Sequence, residues 1–240
     1  MTPTEVIRDA TGRPLSDEDG NPLALKLRPA LADAEIEAFA KQLPCPLPAE
    51  IRELLAYSTG FDEGPVDLVD FTGRDCSFEY PDALPHGHPI AGDGFGNFWV
   101  VDLSPSSTQW GPIYFACHDA PVILYQSPTL EHFLVELFRF SQPPYASLVD
   151  DVHEDRLFQV WRKNPGVLPQ QECLKSEDPG IRQFARELDA TFQIIDLRNA
   201  EVGFGFSWGR YGPKTVVRRF GTVPIFAYQK PPSLLRRIFG

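Results

Sequence analysis

The sequence lacks the long apolar segments and the excess of basic residues that membrane proteins and nucleic-acid-binding proteins use. No window reaches the roughly 18 apolar residues of a transmembrane helix, and the charged first nine residues do not resemble a signal peptide. Lysine and arginine number 22, against 33 aspartates and glutamates, which gives a net charge of −11. Because an acidic surface repels nucleic acid, we expect a cytoplasmic protein with neither a nucleic-acid nor a membrane partner.

The few cysteines are too dispersed to indicate a shared structural role. Cys45, Cys76, Cys117 and Cys173 form no C-x-x-C pair and no matching spacings. Zinc sites and disulfide frameworks both require such spacings. We therefore expect unpaired thiols and no bound cofactor.

Glycine is concentrated in residues 90–103, but it does not complete a nucleotide-binding pattern there. Three glycines precede an apolar run from Phe98 to Val101. The dinucleotide fingerprint would need a further glycine at position 97, which is Asn97, and a helix after it. The run has strand composition instead, and glycines supply the positive φ angles of tight turns. The segment therefore predicts a β-hairpin.

The net negative charge comes from the first part of the chain. Residues 1–140 hold 22 acidic and 8 basic residues, whereas residues 141–240 hold 11 and 14. An acidic surface of this kind steers a basic protein toward it. Acidity also keeps a protein soluble without any partner, and both interpretations are open at this point.

Hydrophobic periodicity predicts an α+β fold for the first part. We expect an extended arm over residues 1–30, with one short strand or hairpin, because prolines interrupt any regular spacing of apolar residues there. Apolar residues at helical spacing predict helices over residues 33–43, 48–59 and 127–140. Strands are expected near residues 66–71, 90–103, 113–118 and 122–125. Strands this close in sequence indicate an antiparallel meander.

The second part predicts a C-terminal α+β extension after a proline-rich boundary at residues 141–144. Its expected helices cover residues 150–163 and begin again at Asp178, and its expected strands cover residues 191–197, 202–208, 215–220 and 225–228. The basic and apolar residues 234–239 predict a small docking helix. The resulting domains are an arm over 1–30, a domain over 31–142 and an extension over 143–240. The sequence leaves open whether the extension is separate or enlarges the first sheet.

Four features in order carry a family resemblance. They are the segment from Leu43-Pro44 to Gly60, the 90–103 hairpin, Gly111-Pro112-Ile113-Tyr114-Phe115 with His118-Asp119 after it, and a final helix. Over residues 31–140 this set resembles the SUKH superfamily, which includes fungal cell-wall-assembly regulators and many bacterial immunity proteins. The resemblance implies a central antiparallel sheet flanked by helices. It also implies a non-catalytic protein that neutralises a cognate toxin, often a nuclease, a deaminase or an NAD-consuming enzyme.

Other side-chain groups offer components of catalytic or metal sites. Cys117 and His118 could form a nucleophile and base, but neighbours on a strand point to opposite faces. His86 and His88 could begin a metal site, with a carboxylate such as Asp93 completing it, yet no third ligand has an identifiable spacing. The acids of residues 150–155 are typical of a solvated helix face. We therefore expect no catalytic residue and no metal.

The leading hypothesis is an immunity-type protein with an acidic surface for a basic toxin or effector. Acids at turns and strand ends supply charge complementarity, and aromatic residues beside them supply the anchors of an interface. The expected contact residues are Asp62, Glu63, Asp93, Trp99, Asp102, Trp110, Tyr114, His118 and Asp119. The alternatives are a regulatory interaction scaffold of the cell-wall-assembly kind, and a small hydrolase or metal-dependent enzyme.

Overall fold

The computed structural model describes residues 1–77, 82–212 and 214–231, so the docking helix expected at 234–239 lies outside the described residues. The α-helices are α1 (Pro3–Thr11), α2 (Asp33–Ala40), α3 (Ala49–Tyr57), α4 (Leu130–Arg139), α5 (Leu148–Asp150), α6 (Leu157–Lys163), α7 (Gln170–Cys173) and α8 (Pro179–Arg186). A π-helical segment, Asp151–Arg156, joins α5 to α6. Within the described ranges, no helix has the length and apolar composition needed to cross a membrane.

The strands form one large and two smaller sheets. The first nine are β1 (Leu15–Ser16), β2 (Pro22–Leu23), β3 (Lys26–Leu27), β4 (Gly60–Asp62), β5 (Leu68–Asp70), β6 (Gly87–Gly92), β7 (Phe98–Asp102), β8 (Ile113–Cys117) and β9 (Val122–Ser127). The others are β10 (Leu168–Pro169), β11 (Phe192–Asp196), β12 (Gly205–Phe206), β13 (Val217–Arg219) and β14 (Ile225–Gln229).

The large sheet has eight antiparallel strands in the order β12-β9-β8-β7-β6-β5-β4-β3. From β3 to β9 each strand pairs with the next along the chain, which is the predicted meander. The hairpin predicted at residues 90–103 joins β6 to β7, and its turn uses positive φ at Gly94 (78°) and Gly96 (87°). The predicted α+β class with a central antiparallel sheet is confirmed.

Both faces of the large sheet are buried. On β8, Phe115 and Cys117 pack into the core formed with the helices, whereas Tyr114 and Ala116 face the other way. The second face packs against β11, β13 and β14, which belong to a four-stranded sheet in the order β10-β11-β14-β13. Helices α7 and α8 cover the far side of that smaller sheet. The molecule is therefore a stack of helices, sheet, sheet and helices.

The C-terminal extension is joined to the large sheet in two ways. Strand β12 adds to the edge of the large sheet, with Gly205 opposite Leu124 and Phe206 opposite Ile123. Glycine is required at position 205, because a Cβ there would lie 2.0 Å from the carbonyl oxygen of Ile123. At the other side, Arg219 of β13 forms a buried ion pair with Asp102 of β7. The extension thus enlarges the first sheet and also covers it with a second one.

The first 30 residues differ from the expected extended arm. Helix α1 begins after Thr2, whose hydroxyl accepts from the Glu5 amide, while the Glu5 carboxylate accepts from the Thr2 amide. This capping box, with proline at the first helical position, outweighs the local proline content. Val6 and Ile7 are buried where α1 packs against α3 and α4. The expected hairpin is confirmed, since β1 pairs with β2.

Candidate functional site

Three turns of the large sheet lie at one end of it. Successive turns of an antiparallel meander alternate between the two ends, so the β4–β5, β6–β7 and β8–β9 turns share an end. We call their residues, 62–67, 93–97 and 118–121, the turn end. These residues include five carboxylates and neither lysine nor arginine. The turn end therefore carries a net negative charge.

Five of the predicted contact residues meet at the turn end: Asp62, Glu63, Asp93, His118 and Asp119. Glu63, His118 and Asp119 are exposed. Asp62 is half-buried and accepts from the guanidinium of Arg28 at 2.8 Å, so part of its charge is already neutralised. The sequence thus predicted side chains that the sheet topology brings to one end.

The other four predicted contact residues, Trp99, Asp102, Trp110 and Tyr114, lie in the interior. The three aromatic side chains are at most 1% exposed, and the side chain of Asp102 is 5% exposed and paired with Arg219. A buried side chain offers no surface to a partner. We therefore assign the aromatic residues to the core and Asp102 to the contact between the two sheets.

Asp93 organises the β6–β7 turn through hydrogen bonds. Its carboxylate accepts from the backbone amides of Phe95 (2.9 Å) and Asn97 (3.1 Å) and from the side-chain amide of Asn97 (2.6 Å). The side-chain oxygen of Asn97, Oδ1, in turn accepts from the backbone amide of His118 at 3.0 Å. These bonds fix the β6–β7 turn against the β8–β9 turn.

His153 joins the turn end to the π-helical segment. Its Nε2 lies 3.0 Å from Asp93 Oδ2 and its Nδ1 lies 2.7 Å from Glu154 Oε1. Ionised carboxylates only accept hydrogen bonds, so this arrangement favours the imidazolium form, in which both ring nitrogens donate. The ring also stacks on Trp99, with centroids 5.9 Å apart. Neither His153 nor Glu154 was predicted as a site residue, because nothing local in sequence connects them to Asp93 some 60 positions earlier.

The electrostatics of this pair follow from burial and hydrogen bonding. Burial alone would raise the pKa of Asp93, but the hydrogen bonds from His153, Asn97 and the backbone outweigh it and lower that pKa to about 2. The hydrogen bond to Asp93 raises the pKa of His153, against the opposing effect of burial. Asp93 and His153 therefore each favour the charged form of the other.

We expect the stabilising contribution of His153 to the fold to be lost as the pH rises above about 6.5, the ordinary pKa of histidine. A group whose folded-state pKa is raised contributes stability that is complete below the unfolded-state pKa and lost as the pH rises through the folded-state value. Urea unfolding of the wild type and of His153→Gln should therefore differ most near pH 6 and least near pH 9.

The comparison with His153→Gln cancels the contribution of a second partly buried histidine, His88. Burial lowers the pKa of His88 against its hydrogen bond to the Phe71 carbonyl, so His88 gives a pH dependence of opposite sign, equal in both proteins. A difference between wild type and variant that is constant across this pH range would contradict a protonated His153 in the ion pair.

A cleft of about 210 Å³ opens between the turn end and the π-helical segment. Its lining is Pro65, Val66, Asp67, Asp93, Trp99, Phe140, Val149, Asp150, His153 and Glu154. Five apolar side chains form half of this lining, and four carboxylates and one histidine form the other half, without lysine or arginine. Beside it, the exposed tip of the β6–β7 turn carries Phe95, whose ring is 77% exposed. The sequence prediction did not include Phe95.

The alternative catalytic and metal groups are not assembled. Cys117 is 3% exposed in the core, while His118 faces outward and pairs with Asp119 at 3.2 Å. His88 packs between Phe39 and Trp110, whereas His86 is exposed. Across residues 1–77, 82–212 and 214–231, no three histidine, cysteine, aspartate or glutamate side chains are grouped as metal ligands would be.

The comparison with protein families concerns the segment that builds the turn end. Residues 30–136 match the SMI1 / KNR4 family (SUKH-1). This SUKH-1 segment is less than half of the 240 residues. The match confirms the resemblance predicted for residues 31–140. No curated protein and no solved structure matched the chain. All three turns of the turn end lie inside the SUKH-1 segment, whereas His153 and Glu154 come from outside it.

Proposed function

We propose that the protein is a non-catalytic, immunity-type protein that binds and neutralises a basic toxin or effector through the turn end. The observation that carries the proposal is the set of five carboxylates in three adjacent turns that lack lysine and arginine. The SUKH-1 match supports it, since the resemblance implies protein binding. Cognate partners of this kind include nucleases, deaminases and NAD-consuming enzymes.

The electrostatic argument concerns the rate of capture. An immunity protein has to bind a toxin before the toxin reaches its substrate. Clustered surface charge of one sign raises the association rate with an oppositely charged protein by about 10- to 1,000-fold. Glu63, Asp67 and Asp119 are exposed and supply this charge at the turn end.

Reversing the charge of these three acids is expected to slow association with the partner at low salt by at least about tenfold. The variant Glu63→Lys/Asp67→Lys/Asp119→Lys should also show a flatter dependence of the association rate on ionic strength, because fewer charges steer the encounter. Stopped-flow or surface-binding kinetics between 20 and ~300 mM salt measure both quantities.

The matched control reverses three acids elsewhere. Glu177→Lys/Glu187→Lys/Glu201→Lys carries the same change of net charge on exposed positions of the C-terminal extension. It should affect the association rate far less. Equal effects of the two triple variants would contradict a role for the turn end and leave only a general effect of net charge.

The function itself is tested by co-purification and rescue. The product of the neighbouring reading frame is expressed with and without this protein, and the immunity proposal requires a stable complex and restored growth. Absence of both would overturn the proposal.

A regulatory scaffold is the second candidate, because the SUKH resemblance, matched here by the SMI1 / KNR4 family (SUKH-1), also includes cell-wall-assembly regulators. A complex that forms without any toxicity to relieve would favour this candidate.

A further inference from the structure

We propose that the cleft beside the turn end receives one arginine side chain of the partner protein. The partner's identity as a basic protein rests on the proposed function, but the recognition of an arginine rests on the cleft. Its volume of about 210 Å³ is below the roughly 300–1,000 Å³ of pockets for small-molecule ligands. A single long side chain is an occupant of suitable size.

The lining of the cleft matches the two parts of a long basic side chain. Pro65, Val66 and Phe140, which are partly exposed, provide apolar walls, against which a methylene stem packs. Carboxylates from the β4–β5 turn and from the segment that begins at Asp150 provide acceptors for a cationic head group. An apolar stem with a charged end distinguishes arginine and lysine from every acidic or small polar occupant.

The free acceptors of the cleft favour arginine over lysine. In the described part of the chain, no hydrogen bond reaches the carboxylates of Asp67 and Asp150, and Glu154 has one oxygen outside its contact with His153. Asp93 already accepts four hydrogen bonds and is not available. Guanidinium presents five donors in a plane and bonds several carboxylates at once, whereas an ammonium group acts as a point charge.

The charge of the cleft is negative even with His153 protonated, because four carboxylates outnumber one imidazolium. Burial, and then the neighbouring Glu154, raise the pKa of Asp150, so the ionised form of Asp150 is held at a cost in free energy. A cation entering the cleft relieves that cost. Phe95, on the adjacent turn whose Gly94 approaches Asp67, adds an exposed aromatic ring of the kind found in binding hot spots.

The test uses an arginine whose amino and carboxyl groups are both blocked, titrated into the full chain and followed by NMR. We expect saturable shifts at the Trp99 indole and the His153 ring, and no saturation with the citrulline analogue, which has the same shape without the charge. Asp150→Asn/Glu154→Gln should weaken binding at least tenfold, as should Asp67→Asn if tested separately. The control Glu177→Gln/Glu201→Gln loses the same charge and should bind as the wild type does.

Three outcomes would overturn the inference: no saturable binding, equal binding of the citrulline analogue, or unchanged binding by both cleft variants. Asp67 lies on an exposed turn, so Asp67→Asn keeps the test valid if the double variant does not fold. The outcome of this binding test can be distinguished from the outcome of the tests of the proposed function. Rescue of toxicity without binding of the blocked arginine rejects only the cleft inference, whereas failed rescue and co-purification reject the proposed function even if arginine binds.

Discussion

Arg219→Ala is expected to lower the free energy of unfolding by about 3–5 kcal/mol, because it leaves the Asp102 carboxylate buried without its partner. Both side chains are 5% exposed. Arg219 donates to Asp102 at 2.7 Å and 2.5 Å and to the carbonyls of Thr222 and Val223, and it packs over the Phe226 ring. Urea unfolding followed by tryptophan fluorescence measures the change.

Two comparisons separate this effect from a general loss of charge. Arg13→Ala breaks an ion pair with Asp9 whose side chains are 54% and 43% exposed, and should cost at most about 1 kcal/mol. The double variant Asp102→Leu/Arg219→Met replaces the buried pair with apolar groups and should recover much of the lost stability. If Arg219→Ala costs no more than Arg13→Ala, the ion pair does not hold the extension against the large sheet.

Trp99→Ala is expected to cost about 3–5 kcal/mol of unfolding free energy, the range typical of a large aromatic residue removed from a core. Trp99 is 1% exposed, contacts the rings of Phe115 and Phe133, and donates its indole N–H to Gln126 at 3.1 Å. The same urea experiment, followed by circular dichroism because the variant loses a tryptophan, measures the cost.

Phe95→Ala, in the same hairpin, is the matched comparison. Its ring is 77% exposed, so the substitution should change the unfolding free energy by no more than about 0.5 kcal/mol. Similar costs for the two substitutions would contradict the assignment of Trp99 to the core and Phe95 to the surface. A folded Phe95→Ala protein also allows the contribution of the turn to partner binding to be measured alone.

Much of the fold could be predicted because its signals are local. The β6–β7 hairpin follows from glycines before an apolar run, and helix α3 follows from Pro48 and apolar residues at helical spacing. Helix α1 was missed although its capping box spans only Thr2 to Glu5, since four prolines in residues 1–30 obscured it. Strand β12 was expected over residues 202–208 and is only Gly205–Phe206, because pairing with β9 sets its length.

The candidate site was less predictable, for two physical reasons. Strand alternation exposes one set of side chains only if a sheet has a free face, and here the second sheet covers that face and buries Tyr114. The contact of Asp93 with His153 joins segments 60 positions apart, and no periodicity in the sequence encodes such a distance. Four of the five acids of the turn end, all except Asp67, were identified because turns can be recognised one by one, and the meander then brings them together.

The arrangement of a doubly covered sheet with acidic turns at one end has a consequence for how such a protein diversifies. Strand register and core packing hold the framework, so exposed turn residues such as Glu63, Phe95 and Asp119 can be exchanged at small cost in folding. A lineage with this architecture can acquire a new recognition specificity through a few substitutions in three short turns while inheriting the rest of the molecule unchanged.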